Sequence, residues 1–152
     1  MKQIILIAIL ATMIVACENK NECCGYYDTT VYISILDKDS CEMLNPGNPN
    51  GYKVTDIVLF KDSNLKEKQT DVNLISFPNI YGGLDSMYYI FFNAPMDYRN
   101  GDKYCATSYL KLNDTTIDVV YTEVTESTDS QVLTKVLYNN EDITRTKTIV
   151  KK

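Results

Sequence analysis

Apolar and polar residues alternate along much of this chain with a period of two, which is the pattern of β-strands that bury one face. Residues 30–36 show it most clearly, because Val31, Ile33 and Ile35 share one face while Tyr and Ser occupy the other. Residues 103–112 alternate in the same way and are also predicted to be a strand. Further strands are predicted at 53–60, 74–77, 88–93, 115–125, 131–138 and 143–150.

Two of the later strands allow a prediction of which residues share a face. In 115–125 the shared face carries Ile117, Val119 and Tyr121. In 131–138 strict alternation opposes Leu133 and Leu137 to Val132, Val136 and Tyr138. The run from Ile57 to Phe60 has no polar residue, so burial of both faces is expected there.

Segments rich in Gly, Pro, Asn and Asp separate these strands and favour turns. The densest is 45–51, whose two prolines and two glycines exclude a helix or a central strand. The charged segment 62–71 is predicted to be a loop, and 97–102 a turn. The pattern predicts an all-β domain over residues 29–152, an antiparallel β-sandwich of immunoglobulin-like or transthyretin-like arrangement. A closed barrel is the alternative, because a strand pattern does not reveal closure.

The first 17 residues follow a different pattern. Lys2 precedes an apolar run from Ile4 to Val15, and small Ala16 precedes Cys17. The run is too short for a membrane-spanning helix, which needs about 20 residues. We therefore predict a lipoprotein signal peptide at residues 1–16 and a lipid on the Cys17 thiol, rather than an ordinary cleaved signal. Residues 17–28 are then a lipidated tether, held firmly once two or three acyl chains are present.

Composition narrows the classes of function. Cleavage before Cys17 leaves 136 residues, enough for one domain, with 14 basic and 20 acidic residues and a net charge of −6. That charge argues against a nucleic-acid partner. The chain has no histidine, which excludes Ser–His and Cys–His nucleophile pairs and removes the commonest nitrogen ligand for zinc. The composition therefore predicts a non-catalytic protein without a cofactor.

Four cysteines remain once Cys17 carries lipid. They are Cys23, Cys24, Cys41 and Cys105, an even number that suggests disulfides with three connectivities. A bond between the adjacent Cys23 and Cys24 would be strained, so pairing of each with a distant cysteine is preferred. A zinc site is the weaker alternative, because adjacent cysteines lack the usual ligand spacing.

Two groups of residues are weak candidates for binding. Asp37, Asp39 and Glu42 offer oxygen ligands in one turn, but they lack the twelve-residue loop of a calcium site, so an ordinary acidic turn is expected. Tyrosines are abundant between residues 81 and 109, where they can pack within the sheet or anchor a ligand. Tyr81 and Tyr98 fall in predicted turns and are the candidate ligand contacts.

Several phrases of the sequence resemble those of a known group of proteins. They are the Ile-Val-Ala-Cys segment at 14–17, Asp-Ser-Cys-Glu-Met-Leu-Asn-Pro at 39–46, Leu-Lys-Leu-Asn at 110–113 and Thr-Lys-Val-Leu-Tyr-Asn-Asn at 134–140. Together they are similar to small outer-membrane or surface lipoproteins of Bacteroidota-type bacteria. Glu18 and Glu22 also resemble, in part, the acidic surface-export signal of such proteins. The resemblance implies a lipid-anchored β-sandwich at the outer membrane, in a group mostly without assigned function.

These observations lead to one main expectation and two alternatives. The main expectation is a membrane-anchored cell-envelope lipoprotein that serves as a non-catalytic binding or structural module, with a protein or a glycan as partner. The first alternative is a hydrolase of envelope or other polysaccharides, which would need paired carboxylates in a cleft. The second is a calcium-stabilised adhesion module built around Asp37 and Asp39.

Overall fold

The computed structural model describes residues 25–69, 72–77, 87–144 and 148–150 of the 152-residue chain. Strands account for nearly all of the regular structure in these ranges, and a short 3₁₀ turn at Val54–Asp56 is the exception. The all-β prediction is therefore confirmed. The strands are β1 (Tyr26–Asp28), β2 (Thr30–Leu36), β3 (Val58–Phe60), β4 (Lys68–Gln69), β5 (Asn73–Phe77), β6 (Met87–Asn93), β7 (Tyr98–Asn100), β8 (Lys103–Lys111), β9 (Ile117–Ser127), β10 (Ser130–Tyr138), β11 (Glu141–Asp142) and β12 (Thr148–Val150).

The strands form two sheets that are packed as a sandwich. The large sheet has the order β1-β10-β9-β8-β3-β4, with β11 beside β10 and β7 beside β8. The small sheet has the order β12-β2-β6-β5. Both orders are linear, so the described strands do not close into a barrel. The sheets are mixed rather than purely antiparallel as predicted, because β1 runs parallel to β10 and β12 runs parallel to β2.

One hydrophobic core lies between the sheets and is shared by both. The small sheet contributes Val31, Ile33 and Ile35 from β2 and two residues of β6, as the alternation of 30–36 predicts. From the large sheet come buried residues of β3, β8, β9 and β10. Burial of these apolar side chains is the main stabilising contribution in a fold without described helices. Besides the β2 residues, the buried residues of this core include Leu59, Ile90, Phe92, Leu110, Val120, Val124, Val136 and Tyr138.

Three short strands arise where the sequence predicts loops or a tether. The last three residues of the predicted tether, 26–28, form β1 on the edge of the large sheet. The predicted loop 62–71 contains β4, and the predicted turn 97–102 contains β7. All three are short edge strands whose residues are mostly exposed, so they lack the alternation that reveals a half-buried strand.

The predicted strand 53–60 is only partly correct. It begins with the 3₁₀ turn, in which the Ile57 amide donates to the Val54 carbonyl at 3.2 Å, and only Val58–Phe60 is extended. Leu59 and Phe60 are both buried although they point to opposite faces of the sheet. The absence of polar residues in this run therefore reflects burial on both faces, as expected.

A β-bulge in β10 overturns the predicted faces of that strand. Leu133 pairs with Val124 and Lys135 pairs with Glu123, so Thr134 is the extra residue between two consecutive pairs. The Thr134 hydroxyl donates to the Glu123 carbonyl at 3.2 Å. Since the extra residue reverses the alternation, Leu133 packs against the same core as Val136 instead of opposing it.

The predicted shared face of β9 is the outer, solvent-facing one. Ile117 and Val119 are 45% and 37% exposed, while Val120 and Val124 on the other face are buried. The two faces of β9 are thus both rich in apolar residues, and the sequence pattern alone does not identify the inner one.

The strand register gives the sandwich two distinct ends. We call the end where β1 begins the N-terminal end. It also carries the β9–β10 turn, and the Tyr26 amide donates to the Asp129 carbonyl there at 2.9 Å. The opposite or distal end carries the β8–β9 connection and the turn at Asn139. The loop that follows β2 is placed at this end because its Tyr52 lies close enough to Asp118, near the start of β9, for the charge of Asp118 to affect it.

Candidate ligand-binding groove

The loop between β2 and the 3₁₀ turn folds into two successive turns at the distal end. The Asn48 amide donates to the Asn45 carbonyl at 2.9 Å, and the Gly51 amide donates to the Asn48 carbonyl at 3.0 Å. The Tyr52 amide then donates to the Met43 carbonyl at 2.7 Å. Because this last bond brings residue 52 back to residue 43, the segment 43–52 is a closed loop and not an open connection.

Side chains of two asparagines lock this loop. The Asn45 Oδ1 atom accepts from the Gly47 amide at 2.8 Å, and the Asn48 Oδ1 atom accepts from the Asn50 amide at 3.0 Å. Asn48 also donates through Nδ2 to the Glu42 carbonyl at 2.8 Å. Such bonds from Asn to nearby backbone are a standard way to stabilise turns. The loop is therefore held in one shape before any ligand binds.

The outer side of this loop forms a groove of about 420 Å³. This volume falls within the range of small-molecule sites, about 300–1,000 Å³. The lining combines flat apolar surfaces with neutral polar groups and one charge. Its main contributors are Asn45, Pro46, Asn48, Pro49, Tyr52 and Lys53.

Tyr52 connects the groove to the core beneath it. Its side chain is half-buried and packs against the core, while the residue also lines the groove. Burial raises the pKa of Tyr52, and the nearby negative charge of Asp118 raises it further. The Tyr52 hydroxyl therefore stays protonated at all physiological pH values, and the ring has a fixed place between core and groove.

Two hydrogen-bond donors in the groove are not used by the described part of the protein. Neither Nδ2 of Asn45 nor Nζ of Lys53 has a hydrogen bond or ion pair to a described residue. By contrast, both Asn45 Oδ1 and Asn48 Oδ1 accept bonds from the loop itself. The groove thus offers donors to a ligand, while the oxygens of these two amides are already engaged.

Two acidic residues of the predicted turn, Asp37 and Glu42, accept hydrogen bonds from main-chain amides at the same end of the molecule. Asp37 Oδ1 accepts from the Asp39 amide at 2.9 Å and from the Cys41 amide at 2.8 Å. Glu42 Oε1 accepts from the Tyr88 amide at 2.9 Å. In the residues that the structure describes, no three potential metal ligands come together. Asp37 and Glu42 thus use their carboxylates to hold main-chain amides in this arrangement.

Of the two tyrosines predicted to contact a ligand, the one that the structure describes, Tyr98, does not line the groove. Tyr98 is 66% exposed on the edge strand β7, where it pairs with Cys105 in the N-terminal half of the large sheet. Tyr81 lies outside the described residues. The sequence did not single out Tyr52, although it directly follows the densest cluster of turn residues, a signal that could have drawn attention to it.

The two described cysteines are not bonded to each other. Cys41 is exposed in the loop after β2, and Cys105 is partly buried in β8. Cys17, Cys23 and Cys24 lie outside the described residues, so the lipid site and any disulfide to the N-terminal pair stay predictions.

Two half-buried glutamates of the large sheet are held by cations and amides. Glu123 lies 3.1 Å from Nζ of Lys103, and this hydrogen bond is the main reason that its pKa is lowered. Glu126 accepts from Gln131 at 2.8 Å, which lowers its pKa, and the nearby Arg99 lowers it further. A general acid needs a raised pKa, so neither glutamate is suited to that role as it stands.

Along the described stretches of chain, no helix has the length and apolar character needed to cross a membrane. Comparisons with protein-family models, with curated proteins and with solved structures find no match to this chain.

Proposed function

We propose that this protein is a lipoprotein of the bacterial cell envelope, anchored through Cys17, and that its β-sandwich is a non-catalytic binding module. The distal groove is the binding site of that module. The observation that carries the proposal is the position of the groove at the end of the sandwich opposite to β1. An anchor at the N-terminal end therefore leaves the groove facing away from the membrane.

The distance between the proposed anchor and the domain is short. Cys17 precedes the first residue of β1 by nine positions. Even when fully extended, nine residues span at most about 32 Å. The N-terminal end of the sandwich then stays close to the membrane surface, and a ligand from the surrounding space meets the distal end first.

The chemistry of the groove supports binding rather than catalysis. Its titratable side chains among the described residues are Tyr52 and Lys53, and it includes no described carboxylate. Polysaccharide hydrolysis normally uses two carboxylates placed across the scissile bond. A preformed loop with neutral polar groups and flat apolar faces is instead typical of a site that recognises a ligand without changing it.

Membrane fractionation tests the anchor. The wild-type protein is expected in the membrane pellet and to be released by detergent, whereas Cys17→Ala is expected in the soluble fraction. Cys41→Ala is the matched control, because it removes an exposed thiol without touching the lipid site, and it should stay in the pellet. Retention of Cys17→Ala in washed membranes would show that the anchor is not a lipid on that residue.

Protease treatment of intact and lysed cells determines which compartment the groove faces. Cleavage on intact cells would place the domain on the cell surface, with a ligand from outside the cell. Protection until lysis would place it in the periplasm, with a ligand from the envelope itself. The exposed turn around Gly47 is a suitable site for an inserted protease sequence, since it lies at the distal end.

A further inference from the structure

We infer that the distal groove binds a saccharide that carries a carboxylate, with Lys53 pairing with that carboxylate and the faces of Tyr52 and the two prolines lying against the sugar ring. This inference rests on the proposed function, because it assigns a class of ligand to the same groove.

The groups that the groove leaves unused define the first part of this ligand. Nδ2 of Asn45 and Nζ of Lys53 are donors without a partner among the described residues. A ligand that satisfies them must supply acceptors, and a carboxylate is the strongest acceptor for an ammonium group. The ligand is therefore rich in acceptor oxygens and carries a negative charge.

The charge distribution agrees with an anionic ligand. The whole chain carries a net charge of −5, yet the one charged side chain among the described residues that line the groove is the exposed, positive Lys53. The nearest carboxylates along the chain are engaged, since Asp56 accepts from Thr55 at 3.1 Å and Glu42 accepts from the Tyr88 amide. A positive group in an acidic protein, without a described internal partner, favours recognition of an anion.

The shape of the loop favours a saccharide over a peptide. Peptides commonly bind by adding a strand to an exposed sheet edge through main-chain hydrogen bonds. In this loop, five main-chain amides already donate hydrogen bonds to acceptors within the loop. They belong to Gly47, Asn48, Asn50, Gly51 and Tyr52. The remaining contacts are side-chain donors and flat apolar faces, which suit the hydroxyl groups and the apolar ring faces of a sugar.

The experiment uses the mature, lipidated protein in detergent micelles and isothermal titration calorimetry. The probes are trigalacturonate and its methyl ester, which have the same rings and linkages but differ in charge. We expect trigalacturonate to bind, the ester to bind about tenfold more weakly, and Lys53→Gln to reduce binding of the acid by about tenfold. Lys53→Arg should retain binding, and Lys61→Gln, which removes an exposed lysine outside the groove, should leave it unchanged.

Two further measurements separate the outcomes. Tyr52→Phe keeps the ring and should bind as the wild type does, whereas Tyr52→Ala should lose binding of both probes. Equal binding of acid and ester, with no effect of Lys53→Gln, overturns the carboxylate. Binding of neither probe by the folded wild type overturns the saccharide. Neither result bears on the lipid anchor, which the fractionation of Cys17→Ala tests independently.

Discussion

The hydroxyl of Tyr138 donates a hydrogen bond of 2.6 Å to the carboxylate of Asp118, and this bond joins β9 to β10 inside the distal end of the core. Asp118 is only 5% exposed. It accepts a second bond, of 2.7 Å, from Nδ2 of Asn139. Burial of a charged group is costly unless hydrogen bonds compensate for it, so these donors allow a carboxylate to lie beneath the groove. Its charge also reaches Tyr52 in the groove lining.

Removal of the Tyr138 hydroxyl should destabilise the domain. Tyr138→Phe keeps the ring in the core but leaves the buried carboxylate with one donor fewer, so we expect a loss of about 1.5–3 kcal/mol in the free energy of unfolding. Chemical denaturation monitored by circular dichroism measures it. Tyr98→Phe, on an exposed edge strand, is the control and should have no effect. Equal stability of Tyr138→Phe and wild type would show that the bond makes no net contribution.

The closed loop of the groove depends on Gly51. A Cβ atom at this position would lie 2.8 Å from the Met43 carbonyl oxygen and 3.1 Å from that of Asn48, both of which belong to the backbone. Gly51→Ala should therefore force the loop apart, destabilise the domain by about 1–3 kcal/mol and abolish ligand binding. Gly47→Ala is the matched control in the same loop.

Gly47 tolerates a side chain better because of what surrounds it. Its nearest neighbour is the side-chain oxygen of Asn45 at 3.2 Å, which can move by a few tenths of an ångström. The loss of stability should therefore be smaller than for Gly51→Ala in the same denaturation experiment. If Gly47→Ala lost more stability than Gly51→Ala, the bond between Tyr52 and Met43 would not be what closes the loop.

Acid should destabilise the domain through Glu123 and Glu126. The hydrogen bond from Lys103 lowers the pKa of Glu123 in the folded state, and that from Gln131 lowers the pKa of Glu126. The unfolded chain thus takes up protons first as the pH falls. The stabilisation is complete above the pKa of about 4.3 that is usual for Glu, and it is lost as the pH falls through the lower folded values.

Melting temperatures between pH 7 and pH 3 test this dependence. Glu123→Gln should melt at a lower temperature than wild type at pH 7 and should lose less on acidification. Lys103→Gln removes the cation that pairs with Glu123 and leaves Glu123 in place. It should also reduce the fall of the melting temperature between pH 7 and pH 3. If the melting temperatures of both variants fall with pH by the same amount as that of the wild type, Glu123 is not a source of the pH dependence.

The positions of the two described cysteines predict that Cys41 and Cys105 do not form a disulfide with each other. Cys41 lies at the distal end, whereas Cys105 pairs with Tyr98 and Glu123 in the N-terminal half of the large sheet. A disulfide requires Cα atoms within about 7 Å. Mass spectrometry of peptides from the unreduced protein should find no such link, and after mild reduction of the folded protein a membrane-impermeant maleimide should modify Cys41 faster than Cys105. A Cys41–Cys105 peptide would contradict the fold.

Long periodic strands were predictable from the sequence because their inner faces are decided by local alternation. Strand β2 and strand β8 have nearly the predicted bounds, and Val31, Ile33 and Ile35 of β2 are buried as expected, although Ser34 on the other face is buried as well. The position of strand β10 was predicted correctly, but the prediction of which of its side chains face the core was wrong. Its bulge at Thr134 results from pairing with β9, a tertiary relationship that does not appear in the pattern of one strand.

The groove was only partly predictable, for a similar reason. The turns at 45–51 are evident from Asn, Pro and Gly. The groove itself arises because Tyr52 bonds back to Met43 and because Tyr52 rests on the core, and both depend on the folded domain. The exposed Tyr98 was the more conspicuous residue in the sequence, but nothing in the described structure brings it to the distal end.

The direct continuation of β1 into β2 has a mechanical consequence. A protein anchored at its N-terminus and holding a ligand at the distal loop is stretched between residues 26 and 52, and the covalent path between these points is mainly β1 and β2. A pull in this direction acts along the strands, so the bonds of β1 to β10 and of β2 to β6 and β12 resist it in shear. Bonds sheared together must break together, whereas a peeled strand loses them one by one. With the proposed anchor at Cys17 and the proposed ligand in the groove, the sandwich would thus be oriented to withstand tension between the two.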